Sequence, residues 1–317
     1  MTIKHSYITR IFCLIFFVGF TSATINGQIL GVNEALFTDQ PFFNTNFIKV
    51  NNIKTITGII SSKKVRDIIR SKGLKTYYKF NRKGELAQQY KSHLSQKKID
   101  TTSTFYRYNQ LGKIVSKRKS EGLGFYSYQY QYDLNNNIVS QTYSRDENKF
   151  NSKNKFELKK RYIIKTDSFS YQLNTENQTQ KYFYNSYGIK YKQQTNTFDS
   201  LGYLIEEKTK FIIGNNKTKT SYEYDNYGRL YKKQYVGNLT QSKKTTAIYT
   251  YDEIGNVLEI KNYLASEHVT TKEFLYDEKT MLLSAIIIQD IKAEQLRIIK
   301  YRYTFYKDAV NYTENSK

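Results

Sequence analysis

Between Tyr78 and Tyr276 the chain repeats one short phrase: an aromatic, a spacer, an aromatic, Asp or Asn, two further residues, Gly and a new apolar run. Tyr222-Glu-Tyr224-Asp225-Asn-Tyr-Gly228-Arg-Leu230 is a full copy. Aromatics at alternate positions put two rings on one face of a strand, because successive strand side chains point to opposite faces. The Asp or Asn that follows accepts hydrogen bonds from backbone just ahead and starts a turn, and Gly three positions later takes the positive φ that closes it. The phrase therefore encodes strand, tight turn, strand, and its residues have a structural role before any chemical one.

The copies align on their turns: Asn81 with Gly84, Asn109 with Gly112, Asp133 with Asn136, Asn185 with Gly188, Asp199 with Gly202, Asp225 with Gly228, Asp252 with Gly255, and Asp277 with Thr280. Asn136 stands where Gly is expected and tolerates the left-handed region, whereas β-branched Thr280 resists it, so the last turn is expected to be of another type. Successive turns lie 28, 24, 26, 27 and 25 residues apart where no copy is degenerate, a period of about 26 over about eight copies. The interval from 136 to 188 is two periods, with one copy stripped of its signature, and that from 188 to 202 is half a period, so two such turns follow one another across a single strand. A period of this size marks a repeat architecture, and the expected fold is all-β, an elongated curved or spiral antiparallel sheet of consecutive hairpins.

The phrase Tyr249-Thr-Tyr251-Asp252-Glu-Ile-Gly255-Asn256-Val257-Leu258 resembles the YD repeat of Rhs-type bacterial proteins and teneurins. The resemblance covers roughly residues 76 to 285 and implies hairpins coiled into a long spiral sheet, in some members closed as a shell around a toxin. This chain has a single proline, Pro41, so it lacks the proline-rich core-associated motif, and no further domain follows Tyr306. It departs from the shell-forming members, and an encapsulated cargo is not carried over.

Residues 1–27 have the pattern of a secretory signal peptide: Lys4 and Arg10, an apolar stretch from Ile11 to Phe20, then small residues at Thr21-Ser-Ala23 or Ile25-Asn-Gly27. Ten apolar residues are too few for a membrane span, which needs about 20, and no second stretch is long enough. The only cysteine, Cys13, lies in this segment, so the secreted chain holds together without disulfides. The formal charge of +22 becomes +20 once Lys4 and Arg10 are removed. Such a balance points to anionic partners, although lysine on exposed strands also discourages edge-to-edge aggregation. Ser116-Lys117-Arg118-Lys119, Lys159-Lys160-Arg161 and Lys232-Lys233 are local basic knots, expected either to align as a stripe or to remain separate solvated tips.

Residues 28–75 lack the repeat and are expected to cap the array, with Asn52–Ile60 as a first strand and a short helix over Lys64–Arg70. The repeat domain is expected over 76–306, with a flexible tail over 307–317. Chemistry is scarce. His93 and His268 sit in different repeats without further ligands nearby, short of the three or four a zinc site uses. Asp133-Leu-Asn-Asn-Asn137 opens like a calcium loop but has Ile138 and Ser144 where glycine and a bidentate glutamate are required. Glu206 and Glu207 point to opposite strand faces and cannot flank one bond. No nucleophile elbow and no phosphate-cradling glycine loop is present.

The sequence thus predicts a non-catalytic secreted or periplasmic scaffold without a cofactor or metal. It presents regularly spaced Tyr and Lys to an extended anionic partner: an acidic glycan, an anionic envelope surface, or another protein. An accessory part of an Rhs-like toxin or contact-dependent system is the second reading and an enzyme the third; nucleic acid ranks last because export removes it. Oligomeric state and closure of the sheet are left open.

Overall fold

The structure is a computed structural model that describes residues 28–31, 43–64, 66–95, 98–122, 124–214, 216–238 and 244–307. The expected signal peptide and nearly all of the expected tail lie outside the described residues. One helix, α1 (Thr45–Val50), precedes β1 (Ile53–Lys64), β2 (Arg70–Phe80), β3 (Leu86–Ser95), β4 (Lys98–Tyr108), β5 (Ile114–Glu121) and β6 (Gly124–Tyr132). The chain continues through β7 (Ile138–Asn148), β8 (Leu158–Thr175), β9 (Gln178–Tyr184), β10 (Lys190–Phe198), β11 (Leu204–Phe211) and β12 (Lys217–Tyr224). It ends with β13 (Leu230–Val236), β14 (Thr245–Tyr251), β15 (Val257–Leu264), β16 (Glu267–Tyr276), β17 (Leu283–Asp290) and β18 (Gln295–Phe305).

Each strand pairs antiparallel with its neighbours in sequence, and β1 pairs with both β2 and β18, so the 18 strands close into a ring. This corrects the expectation of an open curved or spiral sheet, and with it the solenoid implied by the resemblance to Rhs-type repeats. β1 inserts between the first and last repeat strands, so neither end of the array leaves an exposed edge. The helix expected over Lys64–Arg70 does not form, because Lys64 ends β1, Arg70 opens β2, and both are paired in the ladder as Lys64↔Gln295 and Ser62↔Arg70. The helix lies earlier, N-capped by Asn44, whose side chain accepts from the N–H groups of Asn46 and Phe47.

The turns are built as one device. In seven of them the residue at the glycine position donates its N–H to the carbonyl of the Asx residue, from Gly84 to Asn81 at 3.0 Å through to Gly255 to Asp252 at 3.1 Å, with Asn136 serving in the third. The Asx side chain then accepts from the backbone ahead, as Asp225 does from Tyr227 and Arg229, both at 2.9 Å. At Asp277 the turn is one residue longer: Met281 takes the positive φ of 55° and donates to the Asp277 carbonyl at 2.8 Å, leaving Thr280 free of that conformation.

Immediately beyond every one of these turns the ladder slips by one residue, as between Lys79↔Gln88 and Phe80↔Leu86, or Thr250↔Glu259 and Tyr251↔Val257. Such β-bulges bend the strand and increase its twist. Eight of them, repeated at the same place in each hairpin, curve the sheet enough to bring β18 back to β1.

A second device joins hairpin to hairpin. The Tyr just before a turn sends its hydroxyl to the carbonyl two residues past the turn of the preceding hairpin: Tyr108 to Leu86 at 2.9 Å, Tyr132 to Ile114 at 2.7 Å, Tyr224 to Leu204 at 2.8 Å, Tyr251 to Leu230 at 2.6 Å and Tyr276 to Val257 at 2.9 Å. Tyr303 continues the series to Leu283 at 2.7 Å. The apolar residues whose carbonyls accept, Leu204, Leu230, Val257 and Leu283, are buried. Tyrosine at this position adds a hydroxyl bond between hairpins that Phe80 and Phe198, which stand at the same place in two copies, cannot make.

Cross-strand partners share a face, so one face can be followed around the whole ring: Ile56, Tyr78, Gln89, Thr104, Lys117, Tyr128, Tyr143, Lys165, then Lys181, Gln194, Glu207, Tyr222, Lys233, Tyr249, Ile260, Lys272 and Ile286. This face is the inner one. Burial pushes up the phenols of Tyr78, Tyr130 and Tyr222, each to about 12, on strands far apart around the ring. The 28–31 and 43–51 segments belong to a core formed with residues of β14–β18 and β1–β3. There Ile29, Phe43, Phe47 and Ile48 close one mouth against Tyr78, Phe80, Phe274 and Leu283. Gly58 is required on the closing strand, since a Cβ there would lie 2.6 Å from Thr76 Oγ1 and 2.7 Å from Ile299 Cγ2.

Candidate functional site

Strand alternation divides the basic knots between the two faces. Lys117 and Lys119 point inward while Arg118 points outward, and Lys233 points inward while Lys232 points outward to Glu223 at 2.8 Å. The knots are therefore neither a single stripe nor plain solvated tips. Arg118 and Arg161 converge on the outer face at Asp146, with Nε to carboxylate distances of 2.7 and 2.8 Å, and Ser127 Oγ donates to the same carboxylate at 2.8 Å. Phe156, from the segment between β7 and β8, covers the Arg118 guanidinium at 3.9 Å from its ring centre. Asn154 from the same segment receives the Ser103 hydroxyl at 2.8 Å. This is a structural clamp holding a strap over β3–β7.

Inside the ring, Gln89, Lys91 and His93 of β3, Thr102 and Thr104 of β4, and Lys117 and Lys119 of β5 line a cavity of about 300 Å³. His93 has Asp100 at 3.8 Å, and Asp100 is itself taken by Lys153 at 2.7 Å, which holds its carboxyl below the usual range. Among the described residues Lys91, Lys117 and Lys119 form no ion pair within 4.0 Å. The walls thus offer three ammonium groups, an imidazole, an amide and two hydroxyls with no carboxylate neutralising the ammonium groups.

A second inner cluster lies further around the ring, on β8–β13. Lys181 of β9 sits over the rings of Phe169, Phe183 and Tyr171 at 4.2, 5.0 and 5.3 Å, and Lys192 of β10 over Phe183 at 3.7 Å. Lys233 of β13 faces Tyr222 at 5.7 Å. Glu207 of β11 is the acidic group between them and accepts from Gln194 Nε2 at 3.0 Å. Burial, together with the charge of Lys192, brings the Lys181 amine down to about 8. Burial also lowers Lys192 and Lys233 and raises Glu207.

The turn residues Asn81, Asn109, Asp133, Asn185, Asp199, Asp225, Asp252 and Asp277 all sit at the rims, with Gly84, Gly112, Asn136, Gly188, Gly202, Gly228 and Gly255 completing all but the last turn. None lines the β3–β5 cavity, while Asp199, Asp225 and Gly228 line a separate cavity with Tyr203 and Tyr222. Backbone N–H groups hold the carboxyls of Asp133 and Asp277 below their ordinary range, so these carboxylates are engaged by their own turns. Among the described residues no group of three His, Cys, Asp or Glu side chains could hold a metal. The inner clusters were legible only in part: the knots mark Lys117, Lys119 and Lys233, but Lys91, Lys181 and Lys192 are single lysines in sequence and meet only through register.

No protein-family model matches the chain and no curated protein does. Among solved structures it is similar to a porin-like protein from Bacteroides uniformis, at 13% identity and a TM-score of 0.37, covering 80% of this chain and 97% of that one. A TcdB2–TccC3 complex is similar at 12% identity and a TM-score of 0.24, covering 74% of this chain and 15% of that one. A LolA-superfamily protein from Nitrosomonas europaea is similar at 9% identity and a TM-score of 0.19, covering 83% and 92%. The functional reading therefore rests on the chain's own inner face.

Proposed function

We propose that the protein is a non-catalytic envelope or secreted receptor that takes an extended anionic partner, an acidic glycan, along the tyrosine- and lysine-lined inner face of its ring. The observation that carries this reading is the cavity of β3–β5, where Lys91, Lys117 and Lys119 converge without a carboxylate to pair them. Unpaired cations beside stacking-competent phenols suit a polymer that alternates sugar faces with negative groups. An 18-stranded ring has the circumference to leave an aqueous interior.

The ring is read as standing in water and not in a bilayer. A membrane barrel presents an apolar outer band between aromatic girdles, and a Lys or Arg at its midplane costs about 2–4 kcal/mol. Here the outer face carries Lys75, Lys208, Lys232, Glu259, Lys261, Glu273, Lys300 and Arg302. Several of them are ion-paired in the manner of a solvated surface, Glu259 with Lys261 at 2.9 Å, Lys232 with Glu223 at 2.8 Å and Lys208 with Glu206.

The test is binding of the purified chain to arrays of acidic glycans and anionic lipids at low and moderate salt, beside a variant carrying Lys91→Gln, Lys117→Gln and Lys119→Gln. The expected result is saturable binding to one glycan class that survives moderate salt and falls roughly tenfold in the triple variant. Weak binding to every polyanion, lost with salt and unchanged in the variant, overturns the reading.

A further inference from the structure

The ring closes, yet one of its rims has a step. Residues 158–165 of β8 pair with 143–148 of β7 on one side, whereas on the other side β9 pairs with β8 only from Ser168 onward. The last bonds on that side come from the turn after β9, where Ser186 Oγ accepts the Thr166 N–H at 2.9 Å and donates to the Thr166 carbonyl at 3.0 Å. From Leu158 to Lys165, among the described residues, no strand or turn bonds that edge of β8. Eight residues of strand, about 26 Å at about 3.3 Å each, therefore aim the N–H and C=O groups of alternate residues into solvent. All eight side chains are exposed except that of Arg161, which is half-buried.

Such an edge is a template for another strand, and its side chains say which kind. Ile163 and Ile164 are 67% and 53% exposed, and the turn tied to Thr166 adds exposed Tyr187 and Ile189. Arg161 is held by Asp146 and Lys165 by Asp167. Among the described residues Lys159 and Lys160 have no ion-pair partner within 4.0 Å. A second copy paired antiparallel over the same eight residues would set Lys159 opposite Ile164 and Lys160 opposite Ile163. That arrangement gives the lysines no anion and the isoleucines no apolar partner, so the edge is a poor match for itself.

We infer that residues 158–165 of β8 are a docking edge for one extended segment of a partner protein, added antiparallel, apolar in its first half and acidic in its second. In that direction its apolar residues meet Ile164 and Ile163, and its carboxylates meet Lys160 and Lys159. Main-chain bonds supply the attachment and the side chains fix direction and register. The inference does not depend on what the inner face binds.

The probe is a capped peptide, Thr-Val-Ile-Thr-Thr-Glu-Glu-Thr, added to the purified chain while amide hydrogen exchange is followed by mass spectrometry. In the chain alone, the amides of 158–165 that face away from β7 should exchange as fast as those of exposed loops. The peptide should protect them saturably and leave the rates in β3–β5 unchanged. The same peptide methylated on the backbone nitrogens that would face β8 should bind about tenfold more weakly, since only the main-chain bonds are lost. The reversed peptide, acidic half first, should lose about fivefold, as should a variant carrying Lys159→Gln and Lys160→Gln. Amides of 158–165 already protected in the monomer, equal binding of the methylated peptide, or no saturable binding at millimolar peptide overturns the proposal. So does sedimentation that reveals a dimer in which these same amides are protected, because the occupant is then a second copy.

Discussion

The clamp at Asp146 allows the sharpest prediction about stability. Its carboxylate is 0% exposed, receives four hydrogen bonds from Arg118, Arg161 and Ser127, and among the described residues is the one ion-pair partner of Arg118, whose side chain is 9% exposed beneath Phe156. Asp146→Asn keeps the volume but removes the charge, leaving the Arg118 guanidinium buried and unpaired. Breaking a buried pair in this way costs about 3–5 kcal/mol, far more than the pair contributes relative to an apolar replacement. For a chain of this size 1 kcal/mol corresponds to about 2 °C, so the melting temperature should fall by roughly 6–10 °C. The assay is thermal unfolding followed by near-ultraviolet circular dichroism, which the tyrosines supply. Replacing Arg118 and Arg161 by Met together with Asp146→Leu should recover most of the loss, because the charge and its penalty leave together. A drop under about 2 °C in the single variant would refute the reasoning, since it would mean that water reaches Arg118.

Two further outcomes follow from the inner face and the turns. Burial lowers Lys181 to about 8, and lowers Lys192, Lys233 and Lys272, so the unfolded chain binds more protons than the folded one between pH 8 and the ordinary lysine value of 10.5, and stability should rise with pH there. The buried phenols of Tyr78, Tyr130, Tyr171 and Tyr222 are raised from 10.0 to about 12, so stability should fall above pH 10; a melting temperature that falls from pH 8 to 10 contradicts the lysine sign, and one that goes on rising above pH 10.5 contradicts the tyrosine sign. Gly84→Ala should cost about 2–3 kcal/mol, because its φ is +82° and a Cβ would meet the Thr45 carbonyl at 2.1 Å, whereas Gly202→Ala, at +83° with open space around it, should cost only about 1 kcal/mol; equal urea midpoints for the two would show that α1 is not seated on that turn.

What the sequence reveals and what it hides divide along the range of the interactions. Asn81, Asp225 or Asp252 with a glycine three positions later is a complete local instruction, and the strand–turn–strand units can be read from it without any tertiary context. Thr280 likewise signals a different turn, and the longer loop through Met281 answers it. Closure has no such local sign. An open spiral and a closed ring of the same hairpins differ only in whether Ile60 meets Ile299, a pairing across most of the chain. The eight bulges that supply the curvature fall on Ala87, Val115, Val139, Tyr191, Ile205, Tyr231, Leu258 and Ser284, residues that range from small to aromatic and carry no bulge signature of their own because a bulge is a backbone event.

The same reasoning separates the two classes of tyrosine that composition merges. A tyrosine immediately before a turn spends its hydroxyl on a neighbouring hairpin's carbonyl, so Tyr108, Tyr132, Tyr224, Tyr251 and Tyr276 are committed to the ring. In two copies this position is phenylalanine, Phe80 and Phe198, and no such bond can form, while Tyr184 turns its hydroxyl to Ser170; beside Phe198, on β9–β11, lie Lys181, Lys192 and Glu207. The rows of locked tyrosines fill the inner face with satisfied groups. Beside Phe198 the wall instead carries Lys181 and Lys192 with the carboxylate of Glu207 on the neighbouring strand, groups that take no part in joining hairpin to hairpin.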